Sequence, residues 1–348
     1  MEFGLFYFAN YSPSSADRYR LLIEGARFAD RCGLTSVWTP ERHFHEFGGQ
    51  YPNPVVTSAA LAMVTSRVEL RAGSVVAPLH HPVRIAEDWS IVDNLSGGRV
   101  GISFASGWHA VDFTIAPEAH ARRKEVMLET IDVVRRLWRR EKVELAGVGG
   151  APVNVEIFPE PVQSELPVWL TSSGSPETFR QAGELGVGVL THLLGQDLAD
   201  LAAKIRDYRE TSARLHRRFG HVVLMLHTLL GPDREQVREI VREPFSDYLR
   251  SSLSLWARAG GDLTAGLDPA RMNPQDVEFL VGRGFERYFE TGGLFGTVAD
   301  GLATLSTLEA IGVDEVACLI DFVPDTDVVL NHLPYLAELT AAWETAAA

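Results

Sequence analysis

The chain has 348 residues, of which 46% are hydrophobic and 22% charged, a composition that is typical of globular proteins and excludes wholesale disorder. Its formal net charge of −14 argues against nucleic acids and anionic membranes as partners, since both bind clustered cations. Cys32 and Cys318 are isolated in the sequence, which argues against a disulfide framework or a zinc site. The first residues lack the basic segment of a signal peptide, and no apolar run approaches membrane-spanning length, so we expect a cytoplasmic protein.

Apolar runs with the character of strands alternate along the chain with stretches whose apolar residues repeat at helical spacing. The runs predicted to be strands are 3–8, 36–38, 68–76, 100–105, 168–172, 187–190, 222–230 and 316–320. The helices predicted between them are 18–32, 55–65, 85–95, 121–138, 176–185, 198–219, one that begins near 234, and 298–311. Residues 143–161 suggest an irregular hairpin, and residues 246–293 interrupt the alternation with glycine pairs and prolines.

Eight strands separated by helices predict a parallel α/β fold, because helices must cover both sides of such a sheet. An open doubly wound sheet is the alternative. The number of strands, and the polar clusters that follow several of them, favour a closed TIM (β/α)₈ barrel. We therefore expect a single domain over residues 1–348, with an insertion at about 246–293, between strands seven and eight and near the site.

The segment 36–48 places Glu41, Arg42, His43 and His45 just beyond the second predicted strand, which Thr39-Pro40 ends. Active sites of TIM barrels lie at the carboxyl ends of the strands. Other polar groups that follow predicted strands are Asn10, His80, His81, Ser106, Trp108, His109, Thr191, His192 and Asp321. A single loop histidine is more often structural than catalytic, so the prediction of a site depends on their convergence at one barrel mouth.

The segment Thr-Ser-Ser-Gly-Ser-Pro-Glu-Thr at 171–178 joins the fifth predicted strand to a helix. Its hydroxyls, its glycine and the free N–H groups of the helix terminus suit a phosphate group. An ordinary N-cap formed by Ser175 explains the same pattern equally well. The chain contains neither GxGxxG nor GxxxxGK[ST], which removes a Rossmann or P-loop assignment.

Gly73-Ser74 lies inside the third predicted strand, where a glycine weakens pairing. A flat ligand that approaches the backbone closely would account for this glycine, and so would a simple β-bulge. Trp108, in the loop after the fourth strand, is the tryptophan whose position best suits a pocket wall.

Three motifs in fixed order resemble the bacterial luciferase-like monooxygenases, over essentially the whole chain. They are Trp-Thr-Pro-Glu-Arg-His-Phe-His-Glu-Phe-Gly at 38–48, Ala-Gly-Ser-Val-Val-Ala-Pro-Leu-His-His-Pro-Val-Arg at 72–84 and Ser-Gly-Gly-Arg at 96–99. Ala-Ser-Gly-Trp-His at 105–109, the segment 171–179 and Thr-His-Leu-Leu-Gly at 191–195 resemble the mupirocin-type branch, which accompanies peptide and polyketide assembly lines.

The resemblance implies a homodimeric barrel that takes reduced FMN from a separate flavin reductase and uses O₂ to oxygenate a secondary-metabolite intermediate, such as a group tethered to a carrier protein. It implies a non-prolyl cis peptide at Gly73-Ser74 and a phosphate site in the turn after strand five. The cofactor-binding residues it implies are Gly73, Ser74, Ser106, Trp108, Ser172, Ser173, Gly174, Thr178, Thr191 and His192. The catalytic candidates are Glu41, Arg42, His45, His80 and His109, with the histidines in proton transfer.

Two departures from the luciferase pattern limit what carries over. Arg42 replaces the catalytic histidine, and an arginine cannot act as a general base, so it would hold an anionic group or steady the bound oxygen. Ser106 replaces a phosphate-binding arginine. The phosphate must then be bound by backbone amides and hydroxyls, or by an arginine that the sequence does not locate. An F420-dependent oxidoreductase and a non-catalytic flavin-binding accessory subunit remain as alternatives.

Overall fold

The computed structural model of the chain describes residues 1–8, 17–216, 220–258 and 273–347. Its strands are β1 (Glu2–Phe6), β2 (Ser36–Thr39), β3 (Glu69–Val76), β4 (Val100–Ala105), β5 (Val143–Ala146), β6 (Pro152–Val155), β7 (Val168–Ser172), β8 (Gly188–His192), β9 (Val222–Leu230), β10 (Leu294–Gly296) and β11 (Glu315–Leu319). Its α-helices are α1 (Arg20–Cys32), α2 (Pro54–Ala62), α3 (Pro82–Ser96), α4 (Arg123–Trp138), α5 (Pro176–Leu185), α6 (Leu198–His216), α7 (Arg234–Arg258), α8 (Pro274–Arg287), α9 (Val298–Ala310) and α10 (Thr326–Ala347).

Eight parallel strands close into a barrel in the order β1-β2-β3-β4-β7-β8-β9-β11. The pairing of β8 with β9, and of β11 with β1, completes the ring. The strands are apolar and almost wholly buried, as expected when helices cover the outside of a parallel sheet. The predicted TIM barrel is therefore confirmed, and the open doubly wound sheet is wrong.

Local signals in the sequence explain where several helices begin and end. Asn53 caps α2 by accepting hydrogen bonds from the Val55 and Val56 amides, and Pro54 occupies the first helical position. Gly33 ends α1 in the left-handed conformation, with φ of 76°. Asp321, a strand-end candidate, accepts the Phe8 N–H at 2.8 Å. Its carboxylate thus binds the backbone after β1, which ends at Phe6 and not at the predicted position 8.

The segment between β9 and β11 differs in detail from the sequence interpretation. Helix α7 continues past position 246, because Val241, Phe245 and Leu249 keep a buried face at helical spacing. Helix α8 follows, and β10 then pairs in parallel with the end of β9. Residues 259–272, and Asn10 near the amino terminus, lie outside the described residues. The predicted hairpin at 143–161 contains the antiparallel pair of β5 and β6.

A buried ion pair holds the amino-terminal end of the barrel together. Glu315 is fully buried and accepts hydrogen bonds from Arg71 Nη1 at 2.6 Å and from Trp38 Nε1 at 3.0 Å. Glu2, His221 and Glu315 lie within reach of one metal ion. Because Arg71 already neutralises Glu315, we interpret this group as part of the ion-pair network. No helix within the described ranges has both the length and the apolar character that a membrane span requires.

Candidate active site

A cavity of about 300 Å³ opens at the carboxyl ends of the barrel strands. The predicted catalytic residues in its wall are Glu41 and Arg42. The predicted cofactor-binding residues in its wall are Gly73, Ser74, Ser106, Trp108, Ser173, Thr191 and His192. These residues come from five different strand ends, so barrel closure brings together groups that the sequence separates by up to 151 positions, from Glu41 to His192. The expected convergence at one mouth is observed for these residues.

Glu41 is buried at the cavity and receives three hydrogen bonds. Its Oε1 atom accepts from His80 Nε2 at 2.6 Å and from His43 Nε2 at 2.9 Å, and its Oε2 atom accepts from the Val76 amide at 2.7 Å. Burial alone would raise the pKa of Glu41, but the hydrogen bonds and the charge of His80 hold this pKa below its usual range. Burial would lower the pKa of His80, but the Glu41 carboxylate raises it.

Arg42, Asp112 and His109 form a second buried cluster. His109 Nδ1 donates to Asp112 Oδ1 at 2.9 Å, and Arg42 Nη1 lies 3.5 Å from Asp112 Oδ2. The Arg42 guanidinium carbon lies 4.9 Å from the centre of the Trp108 ring, which is a cation–π contact. The sequence analysis did not select Asp112 as a site residue, although its position three residues after His109 in a short 3₁₀ helix is a local signal.

The turn between β7 and α5 contains the predicted phosphate site. Gly174 has φ of 110°, a conformation that favours glycine, and its N–H donates to Ser172 Oγ at 3.2 Å. Ser175 occupies the N-cap position of α5, but its side chain makes no capping hydrogen bond. Ser173 lies at the cavity wall, whereas Ser172, Gly174 and Thr178 do not line it.

Lys204 on α6 places an ammonium group near this turn, a neighbour that the sequence analysis did not identify. A Cβ atom placed on Gly174 would lie 3.6 Å from Lys204 Nζ. Lys204 Nζ donates to Gln196 Oε1 at 2.8 Å, and Gln196 Nε2 donates to Thr191 Oγ1 at 3.2 Å. This chain of contacts links the turn after β7 to the end of β8. Its residues are 30 positions apart, from Gly174 to Lys204, so no local sequence signal indicates it.

The peptide bond between Gly73 and Ser74 is cis, as the resemblance implies. The pairing of β3 with β4 shifts between Gly73 and Val75, so a bulge is present as well. A Cβ atom on Gly73 would lie 2.6 Å from Phe6 Cε2, which leaves no room for a side chain. Ser74 Oγ hydrogen-bonds to Thr171 Oγ1 across the barrel mouth.

His192 presents a neutral imidazole at the cavity. Burial lowers its pKa to about 4, so the ring is uncharged at neutral pH. Its Nδ1 atom accepts the Leu194 N–H at 3.1 Å, which leaves the proton on Nε2. A neutral ring with this tautomer donates one hydrogen bond to a carbonyl group, and it is a poor proton source.

The remaining histidines of the prediction do not line the cavity. His45 Nδ1 accepts the Phe47 N–H at 3.0 Å, and its ring centre lies 6.2 Å from that of His109. His80 hydrogen-bonds to Glu41 and His109 to Asp112, and it is these two carboxylates that line the cavity. His81 caps α3 by accepting the Val83 N–H.

Apolar and aromatic side chains that the sequence analysis did not select form much of the wall: Phe6, Phe8, Phe47, Met225 and Tyr248. Tyr248 lies on α7, so the segment after β9 reaches the site. Sequence patterns assign such residues to the core, and only the packing of the barrel shows which of them face a cavity.

The family model of the luciferase-like monooxygenases matches residues 1–310. The chain belongs to this family. It is 25% identical over 331 residues to the oxygenase component of a flavin-dependent trigonelline monooxygenase from Acinetobacter baylyi, covering 92% of the chain and 89% of that protein.

Two solved structures share the fold of this luciferase-like chain. The oxygenating constituent of 3,6-diketocamphane monooxygenase from Pseudomonas putida, in complex with FMN, has a TM-score of 0.77 and 19% identity, covering 99% of this chain and 98% of that one. An F420-dependent secondary alcohol dehydrogenase has a TM-score of 0.70 and 19% identity, covering 99% of each chain.

Proposed function

We propose that the chain is the oxygenase component of a two-component monooxygenase that receives reduced FMN from a separate flavin reductase and uses O₂. Its substrate is an intermediate of secondary metabolism, free or tethered to a carrier protein, as in the mupirocin-type branch. One observation carries the proposal: a single cavity is lined by Ser173 at the anion-binding turn and by Gly73, Ser74, Thr191 and His192, the positions expected beside a flavin ring.

The residues present fit FMN. The turn at Ser173 and Gly174, together with the ammonium group of Lys204, would hold the single phosphate. The side-chain-free backbone at Gly73 and the Nε2–H group of His192 would border the ring. Reduced FMN, when bound, supplies the electrons that activate O₂.

The protein side chains have distinct roles in this proposal. Glu41 lines the cavity and His80, whose side chain is 34% exposed, connects it to solvent, so this pair moves a proton between the cavity and bulk water. His109 holds the Asp112 carboxylate and is a positioning residue. The apolar wall excludes water from the reacting groups.

An exposed apolar face on α2 and α3 supports the homodimer that we propose. Val56, Ala60 and Met63 recur at helical spacing on one side of α2, and Val56 and Met63 are 64% and 70% exposed. Ile91 and Leu95 stand one turn apart on α3, which packs against α2, and they are 47% and 49% exposed. Contiguous exposed apolar side chains of this kind mark protein interfaces.

The proposal is tested by titrating the protein with FMN and with F420 side by side, followed by assays of O₂ uptake with a flavin reductase. We expect FMN to bind tightly, because the proposed site holds one phosphate group. We also expect O₂ uptake that depends on the substrate. Binding of F420 with no binding of FMN would contradict the proposal and favour an F420-dependent oxidoreductase. FMN binding without O₂ uptake on any assembly-line intermediate would favour an accessory subunit.

A further inference from the structure

The guanidinium group of Arg42 is buried at the cavity wall with two of its nitrogens unpaired. Only 2% of the residue is exposed. Nη1 lies near Asp112, whereas Nε and Nη2 have no hydrogen-bond partner among the residues that the structure describes. Buried N–H groups of a charged side chain are costly when unpaired, so their presence at a cavity indicates that a ligand completes them.

The unpaired nitrogens define the chemistry of that ligand. Nε and Nη2 lie on the same edge of the planar guanidinium, and this edge matches the two oxygens of a carboxylate in a bidentate pair. We propose that the substrate carries a carboxylate group and that the Nε–Nη2 edge of Arg42 binds its two oxygens. This inference rests on the proposed function, because it assigns the substrate end of the same cavity.

The anion at Arg42 is distinct from the phosphate of the cofactor. Arg42 follows β2, whereas the phosphate turn follows β7, and β3 and β4 separate these two strands in the barrel. The turn has its own cation in Lys204. A single cofactor phosphate at the turn therefore leaves the Arg42 edge for a second anion.

The carboxylates near Arg42 do not fully balance its positive charge, so the charge of the site permits one more carboxylate. Glu41 has hydrogen bonds from His43 and His80, and Asp112 has one from His109, so each resident carboxylate has an imidazole partner. The distance of 3.5 Å between Arg42 Nη1 and Asp112 Oδ2 is long for an ion pair. Asp112 therefore leaves hydrogen-bonding capacity on the guanidinium for another anion.

Trp108 lies beside this group at the cavity wall. Nε and Nη2 are shielded from solvent, so an anion reaches them only when a neighbouring side chain moves. The Trp108 ring contacts the guanidinium and is itself 46% exposed. The cavity wall on this side is aromatic, with side chains from Phe47, Trp108 and Tyr248. Such a wall suits a small acid with a flat apolar body.

The experiment compares pairs of ligands that differ only in charge: acetate with acetamide, benzoate with benzamide, and nicotinate with nicotinamide. Binding to the FMN-loaded protein is measured by calorimetry and by tryptophan fluorescence, for the wild type and for the Arg42→Lys, Arg42→Met and Arg84→Met variants. Arg84 lies on the surface with a 65% exposed side chain, so it controls for the loss of one positive charge. FMN binding, measured separately for each variant, reports whether the cavity is intact.

We expect at least one acid to bind the wild type and the Arg84→Met variant more tightly than its amide, by about tenfold or more, with a change in Trp108 fluorescence that the Trp108→Phe variant lacks. The preference for the acid over its amide should vanish in Arg42→Met. It should weaken in Arg42→Lys, which keeps the positive charge but loses the paired N–H groups of the guanidinium. If no acid outbinds its amide while FMN still binds, the assignment is wrong and the proposed function stands. If FMN itself does not bind the wild type, the proposed function fails.

Discussion

We propose that Lys204 and the turn at Gly174 hold the FMN phosphate, and their contribution can be measured directly. Replacing Lys204 by Met removes the ammonium group, so we expect the affinity for FMN to fall by about tenfold, since a hydrogen bond to a charged group is lost. Lys204→Arg should retain most of the affinity. FMN fluorescence titration at low and high salt provides the measurement.

The chain offers a matched control, because Lys124 is an exposed lysine on α4. Lys124→Met removes the same charge far from the turn and should leave FMN affinity unchanged. Equal losses in both variants would mean that net charge, and not a contact at the phosphate, sets the affinity.

The Glu41–His80 pair predicts a pH-dependent contribution to stability. The raised pKa of His80 stabilises the fold below about pH 6.5 and ceases to do so as the pH rises through its folded-state pKa. The lowered pKa of Glu41 stabilises the fold above about pH 4.5, and this contribution is lost as the pH falls through its folded-state pKa. The pair is therefore most stabilising between these values.

His80→Gln should thus lower the free energy of unfolding most near pH 5.5 and progressively less as the pH rises through the folded-state pKa of His80. Urea unfolding across this range gives the difference. His120→Gln is the control, because His120 is exposed and has no carboxylate partner among the described residues. A deficit for His80→Gln that does not change with pH would argue against an ion pair with Glu41.

At the scale of elements, α2 and α3 carry the surface that we assign to the dimer. A charge placed in this surface must be desolvated on association, so Val56→Glu combined with Met63→Glu should shift the protein to monomers. Sedimentation velocity over a range of concentrations measures the change. Val148→Glu adds one such charge at a fully exposed apolar position on the β5–β6 hairpin and should leave the assembly unaltered. A wild type that sediments as a monomer would refute the dimer.

Element boundaries also show what a sequence can and cannot predict. The alternation of apolar runs predicts every barrel strand, because burial on both sides makes those runs continuous. Glu41 and Arg42 are predictable as cavity-lining residues because strand ends meet at the barrel mouth. The lining position of Asp112 and the position of Lys204 near the turn are not predictable, since they depend on how a 3₁₀ helix and α6 pack against other strand ends. His45 illustrates the opposite error, because a strand-end position alone does not direct a side chain into the cavity.

On the scale of the whole molecule, the buried Glu315–Arg71 pair ties β11 to β3 across the barrel. Glu315→Gln removes the buried charge that pairs with Arg71, at a site where both side chains are nearly inaccessible, and leaves this arginine with the partly exposed Glu69, so we expect a loss of about 3–5 kcal/mol in the free energy of unfolding. Glu69→Gln is the control, because Glu69 pairs with the same arginine but is 40% exposed, and it should cost less than about 1 kcal/mol. Denaturant unfolding measures both, and equal losses would contradict this account.

Tyr248 reaches the cavity from α7, a helix that precedes the eighth barrel strand and belongs to a segment added to the regular alternation. The wall of the pocket thus has two sources, the ends of the barrel strands and helix α7. Exchanging residues 234–258 for those of a relative would therefore alter the part of the wall that Tyr248 contributes and leave the strand-end residues of the cavity, such as Glu41 and Thr191, unchanged.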